Sequence, residues 1–187
     1  MRFDEYINGH VATANLCRQL EGVLNQAAEI IAGAIKRGGK LILAGNGGSA
    51  ADAQHVAAEL VGRFRNDRYA LPSIALTTDT SAITAIGNDY GFEEIFSRQI
   101  EALGKPGDCF LAISTSGNSQ NIIRAVEAAE SKGLQVVLLL GKGGGALTNE
   151  GAVSIIIESD VTSYIQECHL IIEHYLCLRL ESELGLA

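Results

Sequence analysis

The residues able to do chemistry fall into two histidine–glutamate pairs and two loops rich in glycine or hydroxyl side chains. His55 and Glu59 stand four residues apart, as do His169 and Glu173. On a helix that spacing puts both side chains on one face, where an imidazole and a carboxylate can act as a metal pair or an acid–base pair. The same spacing also describes a solvated ion pair worth only ~0.3–0.5 kcal/mol. Around His55, the apolar Val56, Ala57, Ala58 and Leu60 argue against full exposure. His174 shares a helical face with Leu170, Ile171 and Leu178, as a core histidine would. Spacing alone does not choose between His169 and His174.

The serine-rich loop is the more telling of the two. Ser114-Thr115-Ser116-Gly117-Asn118-Ser119 follows the apolar run Phe110–Ile113 and precedes a helical pattern. One Ser or Thr there would be an ordinary N-cap, and four hydroxyls exceed what capping requires. Hydroxyl donors, free N–H groups and the positive end of a helix dipole together favour a phosphate. The other loop, Gly45-Asn46-Gly47-Gly48-Ser49, formally fits a dinucleotide pattern through Gly45, Gly47 and Ala50. That match is weak. The segment Arg63-Phe64-Arg65-Asn66-Asp67 is no second strand, so an acidic ribose ligand has no proper context, and no Gly-Lys-Ser/Thr makes the loop a P-loop. It reads as a tight turn or as a close approach of backbone to a ligand.

These loops need strands behind them. Apolar runs suited to buried parallel strands are Lys40–Ala44, Ser73–Leu76, Asp108–Ile113, Gln135–Leu140 and Val153–Ile157. Helical patterns lie between them at Ala50–Val61, Ser81–Ile86, Phe92–Leu103 and Asn118–Lys132, with longer ones at Leu16–Lys36 and Tyr164–Glu183. Pro72 and Pro106 fall in connections. The alternation predicts an α/β fold, a doubly wound five-stranded parallel sheet with ligands beyond the carboxyl ends of its strands. With 187 residues the chain reads as one domain, 1–187, whose first 37 residues form a helical segment packed on it.

Composition narrows the function classes. Hydrophobic residues make up 47% and charged residues 19%, which excludes wholesale disorder. The net charge of −8 argues against nucleic-acid or anionic-membrane partners, but not against one small anion held by backbone N–H groups. Runs such as Val136–Leu140 are far too short to span a bilayer, and Met1-Arg2-Phe3-Asp4-Glu5 lacks the apolar core of a signal peptide. Cys17, Cys109, Cys168 and Cys177 show no metal-type spacing and read as reduced, packed thiols of a cytoplasmic protein. A mean hydropathy of +0.18 is high for a small soluble chain. The last helix, apolar on nearly every side, points to burial between subunits.

Taken in order, Gly45–Ser49, His55-x-x-x-Glu59, Gly87-Asn88-Asp89, Ser114–Ser119 and Ile165-Gln166-Glu167 resemble the SIS (sugar isomerase) domain family over almost the whole chain. Within it they are most similar to the phosphoheptose isomerases. The resemblance implies a flavodoxin-like fold with its first and last helices at subunit interfaces, a homotetramer and one zinc ion per subunit. It implies conversion of sedoheptulose 7-phosphate to D-glycero-D-manno-heptose 7-phosphate through an enediol, the first step of nucleotide-activated heptose biosynthesis. Carried over by position, it puts zinc on His55, Glu59, Gln166 and His174, because the family's histidine follows the glutamine by eight residues. It makes Glu59 and His174 the acid–base residues. Substrate contacts fall on Asn46, Gly47, Ser49, Arg63, Asp89, Ser114, Thr115, Ser116, Ser119 and Gln166. One departure is plain: many relatives carry an Arg before Ile165-Gln166, and this chain has Ser163-Tyr164. The rival is a non-catalytic SIS tetramer that binds the replication initiator protein, in which the Glu59 and His174 positions are not kept as an acid–base pair. A regulatory SIS domain would need a DNA-binding or CBS partner domain, for which 187 residues leave no room.

Overall fold

Apolar runs without alternation call for strands covered on both faces. The computed structural model, which describes residues 2–149 and 153–186, has one all-parallel sheet of this kind. Its strands are β1 (Leu41–Gly45), β2 (Ser73–Ala75), β3 (Cys109–Ser114), β4 (Gln135–Gly141) and β5 (Val153–Ile157), in the order β2-β1-β3-β4-β5. The predicted α/β, doubly wound class is therefore borne out. Successive residues serve opposite faces. Leu41, Leu43, Leu111, Ile113 and Leu139 enter a core shared with helices α2 (Glu21–Lys36), α3 (Gly48–Val61) and α7 (Thr162–Glu183). Ile42, Ala44, Phe110, Ala112 and Leu138 enter a second core beneath α5 (Ser97–Leu103) and α6 (Gln120–Ser131). The remaining helices are α1 (Phe3–Leu16) and α4 (Thr80–Asp89). No helix among the described residues is long and apolar enough to cross a membrane.

The strand order reverses between β1 and β3, and a crevice opens outside their carboxyl ends at such a switch point. The two loops singled out above leave the sheet at that place. Both strands run one residue later than predicted. The Lys40 N–H and ammonium donate to the Asp108 carboxylate at 2.9 and 2.6 Å, so that only the carbonyls of Lys40 and Asp108 bond to the neighbouring strands. At the far ends Gly45 pairs with Ile113, and Ser114 with Leu140.

Two helices differ from expectation. The N-terminal one was predicted over Leu16–Lys36, yet helix begins at Phe3, and a 3₁₀ turn at Cys17–Leu20 separates α1 from α2. Phe3, Ile7 and Val11 lie exposed on α1, so its periodicity does not point to this chain's own core. The pattern Phe92–Leu103 splits into a 3₁₀ turn at Phe92–Glu94 and α5. There the Ser97 hydroxyl bonds back to the Glu94 carbonyl (3.1 Å) and carboxylate (2.5 Å), a local alternative to the helical ladder.

Candidate active site

The serine loop turns on Gly117, whose φ of +63° and whose contact with the Gly144 carbonyl leave no room for a Cβ. Its hydroxyls divide the work. Ser114 Oγ accepts the Gly117 N–H at 3.1 Å, and Ser116 Oγ accepts the Asn118 N–H at 3.2 Å, so these two shape the turn. Ser119 is the N-cap of α6 but makes no side-chain cap bond, so its hydroxyl is available to a ligand. Ser114, Thr115 and Ser119 line a small cavity of about 50 Å³ together with Ile113, Asn46 and Ser49 of the other loop. Hydroxyls and a helix N-terminus converge here without a Lys or Arg in the lining, a cradle suited to a phosphate.

The glycine loop is tied to this cradle. Asn46 and Asn121 exchange two amide hydrogen bonds, at 2.9 and 2.8 Å, so the β1 loop and α6 hold one another in register. Sequence reasoning missed Asn121: a lone Asn 75 positions away carries no pattern. Gly48 opens α3, and the Gln166 side-chain amide occupies the space its Cβ would need.

From Gly48, α3 and α7 run side by side and bring three predicted residues together. His55 Nε2 lies 2.8 Å from His174 Nε2 and 3.6 Å from Glu59 Oε1. Phe64 stacks on the His174 ring at 5.8 Å between centroids. Among the described residues these three form a group able to hold a metal ion, with one ligand atom from each all within 4.8 Å. Two imidazole nitrogens face to face can share one proton or turn both lone pairs to a cation. Two nitrogens and a carboxylate oxygen are a donor set that fits zinc.

Behind the triad the carboxylates of Asp52 and Glu173 are buried, with Asp52 Oδ2 and both Glu173 oxygens unpartnered. Burial pushes the Glu173 carboxyl up to about 8, the nearby Asp52 charge adding to it. Burial also raises Asp52, against the pull of His55. His169 takes a different part from His174. It is fully buried, its Nε2 pairs with the Leu140 carbonyl at 3.1 Å, and burial holds its pKa down at about 4. A neutral ring donating to that carbonyl anchors α7 to β4, and it makes no ion pair with Glu173.

Of the other predicted positions, Gln166 reaches the glycine loop, and Arg63 and Asp89 stand apart. Gln166 sits on α7 two turns before His174, lining a cavity of about 260 Å³ with Asp52, Ser163, Glu167 and Leu170. Arg63 is exposed and donates to the Arg65 carbonyl at 3.4 Å. Asp89, exposed at the end of α4, accepts from the Asn88 amide at 2.7 Å. Neither lines the phosphate-sized cavity.

Residues 5–141 match the SIS domain family. The phosphoheptose isomerase of Sulfurimonas denitrificans is 53% identical over 167 residues, which cover 88% of this chain and 86% of the relative. The solved phosphoheptose isomerase GmhA of Neisseria gonorrhoeae is 42% identical, with a TM-score of 0.87 over 97% of this chain and all of that one. The phosphoheptose isomerase structure from Francisella tularensis is 37% identical, with a TM-score of 0.88 over the same shares.

Proposed function

The chain belongs to the SIS-domain family, and on that premise we propose that it is a phosphoheptose isomerase, interconverting sedoheptulose 7-phosphate and its aldose isomer. The observation that carries the reading is the convergence of His55, Glu59 and His174 on α3 and α7, with a hydroxyl-lined cradle at the start of α3. The rival reading, a non-catalytic tetramer binding an initiator protein, is not favoured: the acid–base pair is intact, and the relatives are phosphoheptose isomerases.

Moving the carbonyl from C2 to C1 needs a base at carbon and a proton carrier between two oxygens. Ser114, Thr115, Ser116 and Ser119 hold the phosphate through hydroxyl and backbone donors. Asn46, Gly47, Ser49, Arg63, Asp89 and Gln166 take the sugar hydroxyls. Glu59 removes the C1 proton to give the enediol and returns it at C2. The His174 imidazole, stacked on Phe64, moves the proton between O1 and O2. His55, Glu59 and His174 would hold one zinc ion per subunit, with Gln166 as the fourth donor. Zinc, when bound, supplies a Lewis acid that polarises the sugar oxygens. We read residues 1–187 as a single SIS domain, assembled as a cytoplasmic homotetramer and serving the first step of nucleotide-activated heptose synthesis.

Zinc-loaded protein should turn over sedoheptulose 7-phosphate, and E59Q or H174Q should lower kcat by about 10²–10⁴-fold while each variant keeps its fold. Wild-type turnover in both variants would sink this assignment. Inactive wild-type protein that binds an initiator protein tightly would favour the rival.

A further inference from the structure

Gln166 rides on a helix whose first turn lacks any side-chain cap, so other contacts must hold that end in place. Two come from the sheet. Ile165 is buried against Gly141 at the end of β4, and His169 pairs with the Leu140 carbonyl. The third comes from α1. Glu167, the residue after Gln166, accepts a hydrogen bond from the Tyr6 hydroxyl at 2.5 Å, and its other oxygen lies 2.7 Å from His10 Nδ1. Tyr164 completes the contact. Its ring is buried edge-on to Tyr6 at 5.1 Å and to His10 at 6.4 Å, and its hydroxyl fills the space beside Gly9. The Ser163-Tyr164 departure noted in the sequence thus falls within this contact. Glu167 and Gln166 also line the same cavity, so the α1 contact adjoins Gln166.

We propose that Glu167 is a positioning residue for the isomerase site: held by the Tyr6 hydroxyl, with His10 close against its other oxygen, it fixes the first turns of α7 and, through them, Gln166. The inference rests on the reading that Gln166 belongs to that site. The cradle's Ser114, Thr115 and Ser119 are carried by the β3–α6 loop, which α1 does not touch through this contact, whereas Gln166 packs on Gly48 of the glycine loop. Loss of the grip therefore falls on the chemical step and on metal binding more than on phosphate capture.

The test uses the full chain, with steady-state kinetics on sedoheptulose 7-phosphate and calorimetric titration of zinc into metal-free protein. E167A should lower kcat about tenfold with a smaller rise in KM, the scale of effect expected when a group of the site is displaced by a fraction of an ångström. Its zinc affinity should weaken while the number of zinc sites stays at the wild-type value. Y6F, which removes the hydrogen bond and leaves the His10 contact, should show a smaller loss in the same direction. E167Q, whose amide oxygen still accepts from Tyr6, should retain most of the activity. Wild-type kcat in E167A overturns the proposal. So does a loss of kcat matched by an equal loss of zinc sites and helical signal, which marks a merely structural role. Should E167A fail to fold, wild-type kinetics and zinc affinity in Y6F overturn it instead. A Q166A control separates the two readings: full activity there removes Gln166 from the site, whereas an inactive Q166A beside an unaffected E167A removes only the grip.

Discussion

Glu173 lies one residue from His174 at 1% exposure, with no hydrogen-bond partner for either carboxylate oxygen. A charge left in that position is costly, and burial, reinforced by Asp52, pushes its pKa up to about 8 from 4.5. Between those two values the folded protein holds a proton that the unfolded chain has released. Stability from this group is therefore full below about pH 4.5 and falls as pH rises toward 8. The metal-free protein should melt at a lower temperature near pH 8 than near pH 5, and E173Q should flatten that dependence. Thermal melts in chelator across this range check it, and an unchanged slope in E173Q would refute it. The sequence presented His169–Glu173 and His55–Glu59 as equivalent pairs, because spacing reports the face of a helix and says nothing of depth. Depth separates them: His169 and Glu173 are buried in the α7 core, whereas His55 and Glu59 are half-buried at the seam where α3 meets α7.

The seam between these helices is closed at its far end by a residue the sequence did not single out. Arg68 donates to the Glu59 carbonyl at 2.8 Å, to the Leu60 carbonyl at 2.9 Å and, through Nε, to the Glu181 carboxylate at 3.0 Å. It thereby satisfies carbonyls at the end of α3 that have no partner within the helix, and ties them to α7. Both side chains are almost fully buried, at 2% and 1% exposure. Removing one partner strands the other charge, so R68A should cost about 3–5 kcal/mol in denaturant unfolding. R68K should recover little, since an ammonium cannot serve both carbonyls and a carboxylate as a planar fork does. A loss under about 1 kcal/mol in R68A would mean that this staple does not hold α3 to α7. Its invisibility in the sequence has a simple cause: the partners are 113 residues apart. The strands were legible to within a residue or so because parallel strands covered on both faces are uniformly apolar. The helices were legible where an apolar face meets the chain's own core, as in α6. The bounds of α1 were less legible within the helical first 37 residues, because its apolar residues face outward.

That outward face is a property of the whole molecule. Phe3 is 78% exposed, Val11 49% and Ile171 51%, and Ile7, Leu16 and Leu170 add further apolar area on α1 and α7. Those two helices also pack on one another through the Tyr6–Glu167 contact, so their exposed faces belong to one unit. Monomeric proteins rarely expose this many large apolar side chains on two helices that pack together. Burying it between copies also accounts for a mean hydropathy of +0.18 in a chain of net charge −8. The proposed homotetramer predicts light scattering at four times 19.7 kDa at micromolar concentration. Placing a carboxylate in a closed symmetric interface repeats it in every copy, so each contact gains like charges as well as losing apolar area. V11D and I171D should therefore shift the protein to smaller species, and the shift should reverse partly at high salt as the repulsion is screened. A surface control such as T84D, on an exposed position of α4, should leave the mass unchanged. If V11D and I171D keep the wild-type mass, the α1 and α7 faces are not where the copies meet.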